Sequence, residues 1–393
     1  MLRSNALAAC EFTDSVTALI VGATAAHTMC HASIGPEFQL MQRRRACAGM
    51  RPGRTVPQMG IPHKGGALAI RRAAMDDVEL VLGVVGELRV GKARSQAGLA
   101  LVSIWGDGHD EPGYVVAADV VADGTLTISE ATAAAVDELL LRNDGDRPVL
   151  LIDGEHLEGA RQNRVLNISL LAAAKAETLI PVSCVEQARW SYRRGRHLTL
   201  APEIAHSGLR GGTALTHSDL LRAHYGHRSD QAAVWAEIER KRGEVGARAS
   251  PTRAMRDVFA DRRSALSTIA DAFRSPEPGQ VGVAACVDGR PIVADVFGHP
   301  SILARLWDRL VHGYAMDALG HPPADIDTTA VESMLKVFEL GETTVHDDLG
   351  AGTNAIATAP GVVANALTWQ GSLVHLAVFA VDDPGLRRHS PAR

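Results

Sequence analysis

Long apolar runs are missing from this chain. No stretch approaches the roughly 20 apolar residues that a membrane helix needs, so the sequence offers no membrane span. Cysteine is scarce: Cys10, Cys30, Cys47, Cys184 and Cys286 are scattered, odd in number and without close pairs. That pattern excludes a disulfide framework and a zinc knuckle, and it leads us to expect a reducing, cytoplasmic setting. An excess of positive charge is absent too, since the formal net charge is −5, which gives no reason to expect nucleic-acid binding. The sixteen histidines show no HExxH spacing, and neither a Walker A nor a GxGxxG sequence occurs, which weighs against a standard P-loop or Rossmann nucleotide site. No cofactor and no metal is named by these residues.

What is present is an ordinary globular composition, 46% apolar and 22% charged over 393 residues, enough to bury a sizeable core. The charge is unevenly spread. Residues 1–74 carry nine Lys or Arg against three acids, leaving 31 against 42 in the remainder, so the two parts hold +6 and −11. The first part shows no sustained period. It reads as a disordered extension or an over-called start, with a targeting peptide as the alternative. Residues 75–381 read as one compact domain with a possible subdivision near 193–214, and 382–393 as a flexible tail.

From Asp77 onward short apolar runs alternate with turns. Residues 82–90, 99–105, 114–119, 125–130, 136–142 and 148–152 read as strands, as do 165–171 and 177–185. Residues 193–214 read as a loop around Gly208-Leu209-Arg210-Gly211-Gly212. Apolar spacing then predicts helices over 218–225, 230–242 and 251–273, with Ser229 and Ser250 as N-caps. Asp288-Gly289 and Gln370-Gly371 each mark a hairpin, and 300–319 and 328–338 read as helices. The fold class predicted is α+β, with an antiparallel β-rich first half, a helical middle and a mixed α/β last third.

The densest chemistry follows the apolar run Pro148–Ile152. Asp153 to Asn167 packs three acids, two arginines, three amides and two glycines into fifteen residues. Arg161 and Arg164, with Gln162 and Asn163 between them and Asn167 beyond, can grip a phosphate or carboxylate through charge-assisted hydrogen bonds. Glu155 beside arginines can act as a base or a metal ligand, although an ion-pair network ordering a strand–loop–strand crossing accounts for the same residues. A second group is Cys184, Glu186, Arg189 and Trp190, with Tyr192. Alternation places Cys184 and Glu186 on one strand face. Cys184 is a candidate nucleophile, though a lone cysteine is more often a small buried hydrophobe. Glu186 is the better acid/base candidate, and Trp190 could stack on a ring. A third group is His224, His227, Arg228, Ser229, Asp230, Gln231 and Trp235, for which helix capping explains Ser229 and Asp230. His346-Asp347-Asp348 could contribute to a metal site or be a solvated turn.

These residues carry a resemblance. Gly154-Glu155, Gly159 to Arg164, Asn167, Ile180 to Gln187 and Arg189-Trp190 resemble the hallmark of the first type of ARG and Rhodanese-Phosphatase-superfamily-associated protein domain, where ARG means ADP-ribosylglycohydrolase. Arg228 to Gln231 with Trp235, Pro278 to Gly282 and His375-Leu376 match as well. The likeness covers about residues 78–381. Where members carry Glu-Leu-Val-Gly-Ala-Lys-Gln-Asn-Arg, this chain has His156, Glu158 and Arg161 in place of the glutamate, valine and lysine, and arginine for lysine keeps the charge while changing its geometry. The resemblance implies association with ADP-ribose- and phosphate-handling enzymes. Two expectations follow. In the first, the chain is an enzyme acting on an ADP-ribose- or nucleotide-derived ligand, with Arg161 and Arg164 on the phosphate and Glu155 and Glu186 as acid and base. In the second, it is a non-catalytic module that senses such a ligand or docks a partner enzyme.

Overall fold

The computed structural model describes residues 64–107, 111–131, 136–189, 191, 193–347 and 349–381, with the side chains of 64–74 and 193–196 left aside. Residues Pro62–Arg393 group into one compact unit. The α+β class holds: the strands pair antiparallel except for one short parallel pair, helices gather in the middle, and the last third mixes both.

An eight-stranded antiparallel sheet forms the centre of the unit. Its order is β1 (Arg89–Gln96), β2 (Leu99–Trp105), β12 (Gly282–Val287), β13 (Arg290–Phe297), β17 (Ser372–Ala380), β16 (Val362–Trp369), β15 (Thr353–Ala359) and β14 (Glu342–His346). The inner strands read as continuous apolar runs because both faces are covered. Alternation sorts them into two cores. Leu99, Leu101, Val283, Val293 and Phe379 face one side, and Ala100, Val102, Ala284, Ala294 and Val378 the other. At both predicted hairpins the two turn residues have positive φ (Asp288 51° and Gly289 77°, Gln370 50° and Gly371 72°), which gives the twist that joins adjacent antiparallel strands.

Over the second face lie α1 (Lys64–Glu87), α7 (Thr328–Leu335) and α8 (Val337–Leu340), through Val81, Val85, Val331, Leu335 and Phe338. On the first face sits α6 (Pro300–Ala318), whose Leu303, Leu306, Trp307, Leu310 and Tyr314 are buried. Burying each of these leucines stabilises the fold by roughly 1.5–3 kcal/mol. Beyond α6, six strands close an antiparallel barrel in the order β10 (Ala176–Cys184), β5 (Glu138–Asn143), β4 (Leu126–Glu130), β11 (Arg193–Ile204), β7 (Glu155–Ala160) and β8 (Arg164–Leu166). A three-stranded sheet of β3 (Val115–Val116), β6 (Val149–Leu151) and β9 (Leu170–Ala172) links the barrel to the rest. The four-residue helix α2 (Ala117–Val120) follows β3, and the longer α3 (Ser207–Arg222) follows β11. The helical middle continues with α4 (Gln231–Glu244) and α5 (Met255–Ala270).

Several expectations change. Residues 82–87 belong to helix α1, because Val78, Val81, Leu82, Val85 and Leu88 recur at three- and four-residue steps and pack on the sheet. The predicted strand at 114–119 is two residues of β3 followed by α2. The stretch 165–171 divides between β8 and β9. Residues 193–214, expected to be a loop, form β11 and the first half of α3. Asp230, not Ser229, caps α4, accepting from the amides of Ala232 and Ala233. Helix α5 begins at Met255, five residues after Ser250, whose hydroxyl accepts from the Ala254 amide within the preceding turn.

Candidate functional site

Barrel closure brings one set of the candidate residues together. In the register of β8 with β10 and β7, Arg164 stands opposite both Cys184 and Leu157, so these three side chains share a barrel face. Past Cys184 the chain turns, and Glu186 Oε2 lies 2.6 Å from the Arg189 guanidinium and accepts from the Asn163 amide at 3.2 Å. Arg189 also donates to the carbonyls of Ala160 (2.8 Å) and Ser191 (2.9 Å) and to Asn163 Oδ1 (3.0 Å). Gln162 donates to the Glu186 carbonyl, and its Oε1 accepts from Arg164 and from the Cys184 thiol, each at 3.2 Å. Gln231 at the start of α4 clamps the Cys184 backbone, accepting from its amide and donating to its carbonyl, both at 2.8 Å. Asn167 lies below, where its Oδ1 accepts from the Ser183 hydroxyl.

This knot is dry. Glu186, Cys184, Arg164 and Asn167 are each at most 2% exposed. Burial alone would raise Glu186, but Arg189 and the Asn163 amide outweigh it and hold the carboxyl below its ordinary range. Burial pushes the Cys184 thiol up, with Arg164 offsetting only part, and burial lowers Arg164. A raised thiol loses the thiolate that nucleophilic chemistry requires. Arg161 sits at the rim. Its amide and its Nε both reach Glu130, at 2.9 and 3.3 Å, and its side chain is 28% exposed. Trp190 and Tyr192 lie outside the described residues.

Glu155 is not part of that knot. It begins β7, at the strand end away from Ala160, and its Oε1 accepts from Arg309 of α6 at 2.7 Å. Its second oxygen has no hydrogen-bond partner among the described residues, and burial raises its pKa against the partial offset from Arg309. The adjacent His156 is buried edge-on to Phe259, and burial, then His206 and Arg309, lowers it to about 3. The two candidate acids therefore serve different arginines in different layers.

A third network was not anticipated. Asp153 ends the β6 run, and Gly154 follows with φ +82°, in a space where an added Cβ would stand 2.6 Å from Arg210 Cγ. Through this gap Arg210, fully buried on α3, reaches Asp153 with Nε (2.9 Å) and Asp295 with both terminal nitrogens (2.9 and 2.6 Å). His375 Nε2 is 3.0 Å from Asp295, its Nδ1 is 2.8 Å from Ser169 Oγ, and Tyr314 donates to Asp295. Ser169 uses its proton on Asp153 and accepts from the Asp153 amide, each at 2.9 Å. Two carboxylates, Asp153 and Asp295, share one guanidinium, and the His375 ring bridges Asp295 to Ser169. Asp295 is held low: burial would raise it, but Arg210 and His375 prevail. The sequence did carry a signal, since Asp295 and His375 are lone polar groups inside otherwise apolar strands.

The third group meets through histidines. His217 Nε2 of α3 is 3.1 Å from His227 Nδ1, and the His227 ring stands 6.0 Å from that of His346. Among the described residues no three His, Cys, Asp or Glu side chains are grouped so as to hold a metal ion. Asp348 lies outside those residues. No helix among them is long and apolar enough to cross a membrane. A cavity of about 480 Å³ opens elsewhere, at one end of the central sheet, and no candidate acid or arginine lines it.

A six-stranded barrel joined through α6 to an eight-stranded sheet, with buried ion pairs at the joints, defines an α+β domain. The chain belongs to the family described as the ARG and Rhodanese-Phosphatase-superfamily-associated Protein domain, which matches it over residues 87–379. No curated protein and no solved structure matches it.

Proposed function

We propose that this chain is a non-catalytic module that docks a partner enzyme or senses its ligand, in the ADP-ribose- and phosphate-handling setting that the family description suggests, and is not itself the catalyst. One observation carries the reading. Glu155 and Glu186 are each 1% exposed and each lies within 2.7 Å of an arginine that neutralises it. A general base has to come within about 2.6–3.2 Å of the proton it removes, and neither acid has a route to one. The arginines expected to grip phosphate are similarly engaged or buried: Arg161 pairs with Glu130, Arg164 is 2% exposed and donates to Gln162 and the Asn163 carbonyl, and Arg189 holds Glu186 and two carbonyls.

The test uses the full chain in two assays, release of ADP-ribose from an ADP-ribosylated substrate and co-purification with an ADP-ribosylglycohydrolase. We expect no turnover, partner or ligand binding that survives Glu186→Gln at temperatures where that variant is folded, and a lowered Tm for Glu155→Gln and Glu186→Gln. Turnover by the native chain that disappears in Glu186→Gln with Tm unchanged would establish the enzyme reading instead.

A further inference from the structure

The cavity of about 480 Å³ at the end of the central sheet has the size of a metabolite pocket. It opens where β2 and β13 end and β16 turns into β17, with α1 as its roof. Trp369 and Tyr114 form an aromatic wall, their rings edge-to-face with centroids 6.3 Å apart, and Val84, Leu88 and Leu373 supply apolar surface. Gly113 keeps the wall tight, since an added Cβ there would stand 2.9 Å from the Trp369 ring.

Three features fix the chemistry of an occupant. The first is sign: the described lining contains Glu87, Asp107 and Glu111 and no lysine or arginine. Asp107 is taken by Arg89 in a two-pronged ion pair, whereas Glu87 and Glu111 are exposed and join no ion pair among the described residues. The second is the aromatic wall, which favours a flat ring or a cation over its face. The third is Tyr114. It is 6% exposed and lines the cleft, and its hydroxyl makes no hydrogen bond among the described residues, which leaves that hydroxyl available to an occupant. A phosphate would meet two unpaired carboxylates here and find no cation.

We propose that this cleft binds a small aromatic cation carrying a hydrogen-bonding substituent, with Trp369 and Tyr114 on the ring, Glu87 and Glu111 on the charge, and the Tyr114 hydroxyl on the substituent. The site is independent of the docking role above, because none of the barrel residues reaches it.

A matched series of probes tests this on the full chain by calorimetric titration at low salt: the 1-methyl-3-carbamoylpyridinium ion, its neutral parent pyridine-3-carboxamide, and the anion pyridine-3-carboxylate. The cation should bind about tenfold more tightly than the neutral ring, and the anion should show no binding. Trp369→Ala should abolish binding, and Tyr114→Phe should weaken it a few-fold. The exposed double change Glu87→Gln with Glu111→Gln should weaken the cation about fivefold while the neutral ring and the Tm stay unchanged, which separates recognition from folding. Equal binding of the anion, an unaltered cation affinity in the double variant, or no cation binding at millimolar concentration to the folded protein would each overturn the proposal.

Discussion

Arg210 and Asp295 face each other through two parallel N–H···O contacts, 2.9 and 2.6 Å long, at the junction of α3 with the central sheet, and neither side chain is exposed. Bidentate geometry gives the pair a fixed direction, and Asp153, His375 and Tyr314 satisfy what remains of both groups. A charge in this position is tolerable only while every partner is present.

Removing one partner should therefore be far worse than removing a surface charge. Arg210→Met leaves Asp153 and Asp295 buried without their shared cation, and we expect a loss of about 3–5 kcal/mol, read from the urea midpoint. Gly154→Ala tests the same joint by another route. It places a side chain at φ +82° and against the Arg210 stem, and should cost about 1–3 kcal/mol. A Gly154→Ala protein as stable as the native one would mean that Arg210 does not pass through this gap.

Glu155 and Arg309 offer a direct test of the structural role given to a candidate catalytic acid. Either Glu155→Gln or Arg309→Met alone strands a buried group and should destabilise by about 3 kcal/mol or more. The double variant should cost clearly less than the sum, because the stranded charge is gone. Additive losses in a double-mutant cycle would show that the 2.7 Å contact carries no coupling.

How much of this was readable in the chain can be judged at particular residues. The hairpins at Asp288-Gly289 and Gln370-Gly371 were legible because positive φ has a local residue signature. Residues 82–87 misled because valine favours strands, while the deciding spacing of Val78, Val81 and Val85 spans more than one helical turn. Strands β14 and β15 went unread, the first being a half-exposed edge, Glu342-Thr343-Thr344-Val345-His346, with no apolar alternation. The barrel closes through three residue pairs between β8 and β10, Val182 with Leu166, Ser183 with Val165 and Cys184 with Arg164, and no local pattern announces such a pairing. Within the candidate site, Gln162, Asn163, Arg164, Cys184, Glu186 and Arg189 do meet, as their shared polarity suggested. Glu155 does not join them, because its partner, Arg309, comes from a helix 154 residues further on.

Cys184 and Cys286 should be unreactive in the native protein. Cys184 and Cys286 are buried free thiols, and burial raises both, Cys286 to about 12. Iodoacetamide at pH 8 followed by peptide mapping should leave both unlabelled until urea unfolds the chain. Rapid native labelling of Cys184 would restore its candidacy as a nucleophile.

The pH dependence of stability divides between two neighbours of opposite sign. His156 is lowered from 6.5 to about 3, so the unfolded chain takes up a proton near pH 6.5 that the folded chain refuses. Its contribution is present above pH 6.5 and is lost as the pH falls toward 3, about 5 kcal/mol at most over the full window. Glu155 is raised, so its linkage runs the other way, favouring the fold at low pH and weakening it as the pH rises through the folded value. Asp295 is lowered, and its stabilisation fades only below the ordinary carboxylate range. Between pH 6.5 and 5 the two linkages oppose each other, so His156→Leu isolates the histidine. Urea midpoints of His156→Leu should fall less, or rise more, than those of the native chain as the pH drops across that interval. Parallel slopes for the two proteins would place the titrating group elsewhere and remove His156 from the account.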